Sequence, residues 1–295
     1  MLALSGGRSR RRAIVGRTAR AMTASTGASA SKPRLGTVRL PDGPRLHYAE
    51  QGEPGGPAIL LLHGWPDSWF SYSRILPLLP DRFRVLVPDQ RGFGESDRPD
   101  CCYGIDDLAA DAAAFLEALA VERAVIVGHS MGTFVARRLA AAHPDRVTRL
   151  VLIGSAFSPA NPALRGVEAS LRDLPDPVTR EFSREFQGST AYLSLPEDFF
   201  DGVVTESLKL PARLWRQVFD GILAFDDTGE LGRIVTPTLL LWGDRDGLFG
   251  REDQERLVRA IPNARLTIYP ETGHCPNWER PERVVADLLA FIQDA

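Results

Sequence analysis

The chain of 295 residues is 44% hydrophobic and 25% charged, a size and composition that suit one large soluble α/β domain carrying an insertion. Its net charge of -3 hides an asymmetry, because residues 1–34 hold eight basic residues and no acid, leaving 27 basic against 38 acidic residues in the rest. An acidic body disfavours nucleic acid and anionic membrane as partners, and no apolar run approaches the roughly 20 residues that cross a bilayer.

The first 33 residues are rich in Arg, Ser, Ala and Gly, lack hydrophobic periodicity and end at Lys32-Pro33, which predicts a disordered extension. Ser9-Arg10-Arg11-Arg12 hints at an export signal, but Arg17 and Arg20 interrupt the apolar core such a signal needs. An organellar transit peptide is another reading. An inert tail, or a true start at Met22 that makes the earlier residues spurious, ranks first, with a cytoplasmic protein behind it. The three cysteines, Cys101, Cys102 and Cys275, are odd in number, which argues against a disulfide framework and for a reducing compartment.

From residue 36 onward, short apolar runs bounded by Gly, Pro and Asp predict strands at 36–40, 45–50, 58–62, 83–87, 124–127, 149–153, 238–242 and 265–269. The first two flank Pro41-Asp42-Gly43-Pro44 and read as an antiparallel hairpin. Helical patterns at 105–120 and 131–142 separate later strands, so the sheet is expected to become parallel with helices on both faces. Between about 157 and 234 the rhythm breaks. No strand is evident there, and Leu214, Trp215, Val218, Phe219 and Ile222 recur at helical spacing within Pro211 to Ala224. The expected organisation is a core of residues 34–156 and 235–295 with a helical cap at 157–234.

Gly128-His129-Ser130-Met131-Gly132 follows the apolar run Ala124 to Val127 and precedes a helix-forming stretch. Ser130 therefore falls on a sharp strand-to-helix turn that lifts its hydroxyl clear of the sheet, and the flanking glycines leave room for close backbone contact. A serine nucleophile needs a base. Of the five histidines, His47 lies in a hairpin strand, His63 at a strand end, His129 beside the serine and His143 before Pro144. His274 remains, in a loop just past the last strand, where functional side chains of a doubly wound sheet collect. The carboxylate that orients it comes from Gly243-Asp244-Arg245-Asp246; Asp246 is chosen, because Asp244 is better placed to cap the loop or pair with Arg245. Backbone N–H groups of Met131 and Trp65 are the expected oxyanion donors.

The segments HGWPDSW (63–69), DQRGFGESDRP (89–99), GHSMG (128–132), WGDRD (242–246) and TGH (272–274) together resemble the α/β-hydrolase superfamily, in its order of nucleophile, acid and histidine, over about residues 36–294. The resemblance implies an eight-stranded, mostly parallel, doubly wound sheet with a cap. The first two segments are most similar to the epoxide hydrolase and haloalkane dehalogenase branch. Those enzymes use an aspartate that attacks saturated carbon, whereas Ser130 suits acyl transfer. Epoxide opening also relies on cap tyrosines, and Tyr192 alone lies between 157 and 234.

The Arg91 to Ser96 segment lacks the form of a phosphate loop, and Gly92 and Gly94 read as loop glycines behind the oxyanion segment. No H-E-x-x-H motif or histidine cluster appears, so neither metal nor cofactor is expected. Aromatic residues after the oxyanion turn and in the cap, with Trp69, Phe70, Phe157 and Trp215 as the candidates, predict an apolar pocket for a small-molecule substrate. The expected activity is hydrolysis of a small or medium hydrophobic ester or lactone. Hydrolytic carbon-carbon cleavage, cofactor-free perhydrolysis of the haloperoxidase kind, and a ligand receptor with slow turnover are the alternatives.

Overall fold

The computed structural model describes residues 32–293, so all but the end of the expected N-terminal extension lies outside the described residues. The strands are β1 (Arg34–Arg39), β2 (Arg45–Gln51), β3 (Ala58–Leu62), β4 (Arg84–Pro88), β5 (Ala124–His129), β6 (Val147–Ile153), β7 (Thr238–Gly243) and β8 (Ala264–Tyr269). They form one sheet in the order β1-β2-β4-β3-β5-β6-β7-β8. β1 and β2 pair antiparallel, as the hairpin reading expects, and β2 also meets β4 antiparallel; all later pairings are parallel.

Period-two alternation in these runs feeds two separate cores. Leu60, Leu62, Ile126, Leu150, Leu152 and Leu240 point to one face. Ile59, Leu61, Val127, Val151, Ile153 and Leu241 point to the other. The first face is covered by α1 (Ile105–Ala118) and α2 (Met131–Ala142), whose Leu108, Phe115, Phe134 and Leu139 are buried against it. Four helices lie between β6 and β7, in the stretch that shows no strand pattern: α3 (Pro162–Leu171), α4 (Arg180–Thr190), α5 (Glu197–Ser207) and α6 (Ala212–Leu223). Side-chain caps start two of them: Asn161 accepts from the Leu164 N–H, and Thr179 from the Phe182 N–H. In α6 the five apolar residues at helical spacing are all buried, as an amphipathic stripe requires. The chain ends with α7 (Arg251–Ala260), α8 (Pro276–Glu279) and α9 (Pro281–Gln293), the last packing Val284, Leu288 and Phe291 on the second core.

A buried ion pair ties the inserted helices to the core. Arg137 of α2 donates to Asp227 Oδ1 at 2.7 Å and to the Ala156 carbonyl at 2.6 Å. Both ends of the insertion are thus anchored to the helix that begins beside Ser130.

Cys101 and Cys102 form a disulfide, leaving Cys275 free and buried. An odd cysteine count speaks against staples between distant loops, but adjacent cysteines need no such framework to meet. Among the described residues no helix is long and apolar enough to cross a membrane.

Candidate active site

Ser130 sits where β5 ends and α2 begins, with φ 52° and ψ -120°. Few residues with a side chain hold a positive φ, and the strain is retained because the surroundings over-determine the turn. The Ser130 N–H donates to the Ile153 carbonyl at 3.0 Å and the Thr133 hydroxyl donates to the Ser130 carbonyl at 2.7 Å. The flanking glycines are steric necessities. A Cβ on Gly128 would stand 2.2 Å from the Gly132 carbonyl oxygen, and one on Gly132 would stand 2.1 Å from that of Leu62.

His274 reaches the serine from the loop after β8, its Nε2 lying 2.8 Å from Ser130 Oγ. Its Nδ1 lies 2.9 Å from Asp246 Oδ2. With Nδ1 protonated and donating to the carboxylate, Nε2 is free to accept from the serine hydroxyl. Asp246 is held in turn: its Oδ1 accepts from the N–H groups of Leu248 and Phe249, at 2.8 and 3.1 Å. The neighbouring Asp244 turns away, caps the Glu271 N–H at 2.7 Å and lies 3.7 Å from Arg245. The three side chains meet at the carboxyl ends of β5, β8 and β7, in a geometry that is chemically able to supply a nucleophile, a base and an orienting acid.

Trp65 and Met131 line the pocket beside Ser130. Met131 is the first residue of α2, so its N–H belongs to the turn that has no intrahelical acceptor. The Trp65 turn is braced from behind. His63 Nε2 accepts from the Gln90 N–H at 3.0 Å, which leaves its Nδ1 proton for the Gly64 carbonyl at 2.8 Å. Asp89 accepts from the N–H groups of Trp69 and Glu95, at 2.7 and 3.0 Å. The glycine-containing segment after β4 is therefore a clamp on the loop that presents Trp65.

The pocket is roofed by the inserted helices. Leu164 and Val167 of α3, Phe186 of α4, and Phe219 and Ile222 of α6 face Ser130 across it, with Trp65, Phe134, Leu248 and Phe249 from the core. Trp69, Phe70, Phe157 and Trp215, the aromatic candidates from the sequence, lie outside this lining. Trp215 is fully buried one layer back, its ring 5.1 Å from that of Trp65. Phe70 stacks on Phe199 at 5.8 Å, Trp69 packs on the second core, and Phe157 lies under the Arg256 guanidinium. Tyr192 is exposed beneath Arg245.

One polar wall escaped the sequence reading. Asp67 is buried in the pocket lining; its Oδ1 accepts from Gln187 Nε2 at 3.0 Å and its Oδ2 from the Ser71 hydroxyl at 3.1 Å. Burial pushes its carboxyl up to about 7, against the pull of those two hydrogen bonds and of His274. The same burial holds His129 well below the usual histidine range, helped by His274. Thr190 continues the wall, its hydroxyl donating to the Gln187 carbonyl at 2.8 Å and lying 3.3 Å from Cys275 Sγ. The available signal was an acid two residues after Trp65, in an otherwise apolar segment. Nothing in the sequence marked Gln187 or Thr190. Among the described residues no group of three or more His, Cys, Asp or Glu is placed to hold a metal ion.

Residues 57–281 match the family described as alpha/beta hydrolase fold. The chain is 33% identical to the non-heme chloroperoxidase of Streptomyces lividans, over 88% of this chain and all of that protein. It is 30% identical to epoxide hydrolase 4 of Mus musculus, over 93% of this chain and 85% of that one. The solved structure of a thermophilic esterase from Thermogutta terrifontis superposes with a TM-score of 0.74 at 26% identity, covering 88% of this chain and 98% of the other. The chain belongs to the α/β-hydrolase superfamily and is a hydrolase of that fold.

Proposed function

We propose that the protein is a serine hydrolase that cleaves a small or medium hydrophobic carboxylic ester or lactone through an acyl-enzyme. The observation that carries this reading is the unbroken chain from Ser130 Oγ through both nitrogens of His274 to Asp246, at the floor of a largely apolar pocket. His274 Nε2 takes the hydroxyl proton as Oγ attacks the carbonyl carbon, and Asp246 stabilises the imidazolium that forms. The Trp65 and Met131 N–H groups receive the oxyanion. Collapse of the tetrahedral adduct expels the alkoxide, which takes the proton from Nε2. Water then attacks the acyl-serine, gives its proton to His274, and the acid leaves as that proton returns to Oγ.

The experiment is labelling with a fluorophosphonate, followed by a chain-length series of p-nitrophenyl esters and a panel of lactones. Labelling at Ser130, lost in Ser130→Ala, supports the reading. Absence of labelling in the wild-type protein overturns it.

Similarity to a non-heme chloroperoxidase over that protein's whole length favours a second use of the same acyl-enzyme. Hydrogen peroxide in place of water as the attacking nucleophile yields a peracid, with no change in oxidation state at the protein. Halogenation that depends on both peroxide and acetate, and that vanishes in Ser130→Ala, would reveal it.

A further inference from the structure

The pocket above Ser130 is small. Its walls leave about 30 Å³ for the centres of water molecules. Such a space takes a short acyl group but not a medium-sized ester, so the remainder of a larger substrate has to pass through a wall. The core side of the pocket is lined by Met131 and Phe134 of α2 and by Trp65, Leu248, Phe249 and Trp278. Among the inserted helices α3 packs mainly on α6, and α4 on α5, so α3 and α4 meet along a seam.

On the outer side of that seam runs a groove lined by Ala163, Gly166, Val167, Phe182 and Phe186, with Ser170, Glu185 and Ser189 also in its lining. It leaves about 460 Å³ for water centres. Val167 and Phe186 line both spaces, so two half-buried side chains are all that the two linings share. Phe186 also rests edge-on against Trp65, at 5.1 Å between ring centres, the residue proposed above as an oxyanion donor.

This position decides which half of a substrate the groove would take. The leaving oxygen must face His274 Nε2 to be protonated, and the Phe249 ring is 5.1 Å from the His274 ring. Phe186 packs on Trp65 rather than on the His274 ring, and the acyl chain is the half assigned to its side. We propose that the groove between α3 and α4 is an acyl-chain subsite, gated by Val167 and Phe186, for an uncharged aliphatic chain longer than the inner pocket holds. Phe182, Phe186 and Val167 supply apolar contact, and Glu185 opposes a chain that ends in a carboxylate. The inference rests on the serine-hydrolase reading and refines its substrate class.

Gly166 provides the test. A Cβ there meets nothing within 4 Å, and replacing a mid-helix glycine raises helix propensity, so Gly166→Trp is the variant chosen to place a bulky side chain in the groove. The readout is the ratio of kcat/KM for p-nitrophenyl octanoate to that for the acetate. Gly166→Trp is expected to lower this ratio at least tenfold, and Phe186→Ala, which opens the gate, to raise it at least threefold. A ratio within twofold of wild type in both variants overturns the subsite. Fluorophosphonate labelling of Ser130 is measured in parallel: labelled protein with an unchanged ratio refutes the groove alone, whereas unlabelled wild-type protein refutes the hydrolase reading beneath it.

Discussion

Asp67 Oδ2 and His129 Nδ1 face each other at 3.9 Å in the wall of the pocket, both buried. His129 Nε2 lies 3.3 Å from the His274 carbonyl, which calls for a proton on Nε2 and leaves Nδ1 as a bare acceptor without a hydrogen-bond partner in the structure. An ionised Asp67 turns a second acceptor toward that lone pair; a protonated Asp67 has a hydrogen to give it. The other titratable groups that act on this carboxyl or are affected by its charge are His274, Cys275 and Tyr72.

Asp67 should make stability fall as pH rises. Its carboxyl is raised from 3.8 to about 7 in the folded protein, so the folded state holds the proton more tightly than the unfolded chain. The stability this supplies is fully present below about pH 4 and is lost between about pH 4 and 7, on the order of 4 kcal/mol at most. Asp67→Asn keeps the acceptor for Gln187 and offers an N–H toward His129. Melting temperatures measured from pH 4 to 9 should show the variant gaining on wild type through this window and exceeding it at pH 8. Parallel curves would refute the assignment.

The two acids of the β7 loop should separate cleanly. Asp246→Asn leaves His274 without a carboxylate on Nδ1 and should lower kcat for ester hydrolysis about 10⁴-fold. Asp244→Asn touches only the Glu271 cap and the exposed Arg245 pair, and kcat should stay within about threefold. Equal losses in steady-state kinetics would contradict the geometry.

Ser130 trades stability for position. Its φ of 52° suits glycine, so Ser130→Gly should raise resistance to urea by about 1 kcal/mol while abolishing turnover. A variant less stable than wild type would mean that the turn is not strained.

Arg137 and Asp227 form a fully desolvated pair, and removing one partner strands the other. Arg137→Met should destabilise the fold by about 3–5 kcal/mol in urea denaturation, and adding Asp227→Asn should restore part of it. A loss below about 1 kcal/mol would show that the pair is dispensable.

Strands β3, β5, β6 and β7 were legible because a short, uninterrupted Val, Ile and Leu run has one stable home, a strand covered on both faces. The turn at Ser130 was legible for a similar reason: a strand, two obligatory glycines and a helix leave the chain one path. Local pattern determined these, together with the sequence positions of His274 and Asp246 at strand ends, whose side chains the fold brings within hydrogen-bond distance of one another and of Ser130. The pocket wall was another matter. Trp215 and Phe219 lie on the same buried stripe of α6, yet Phe219 faces the site while Trp215 packs behind Trp65. Burying a side chain and lining a cavity call for the same residue types, so only the rotation and depth of each helix against the sheet decided between them. Asp67 is the same lesson in electrostatics: burial raises its carboxyl against the opposing pull of Gln187 and His274, and both the burial and those distant contacts exist only once the inserted helices have closed over the sheet.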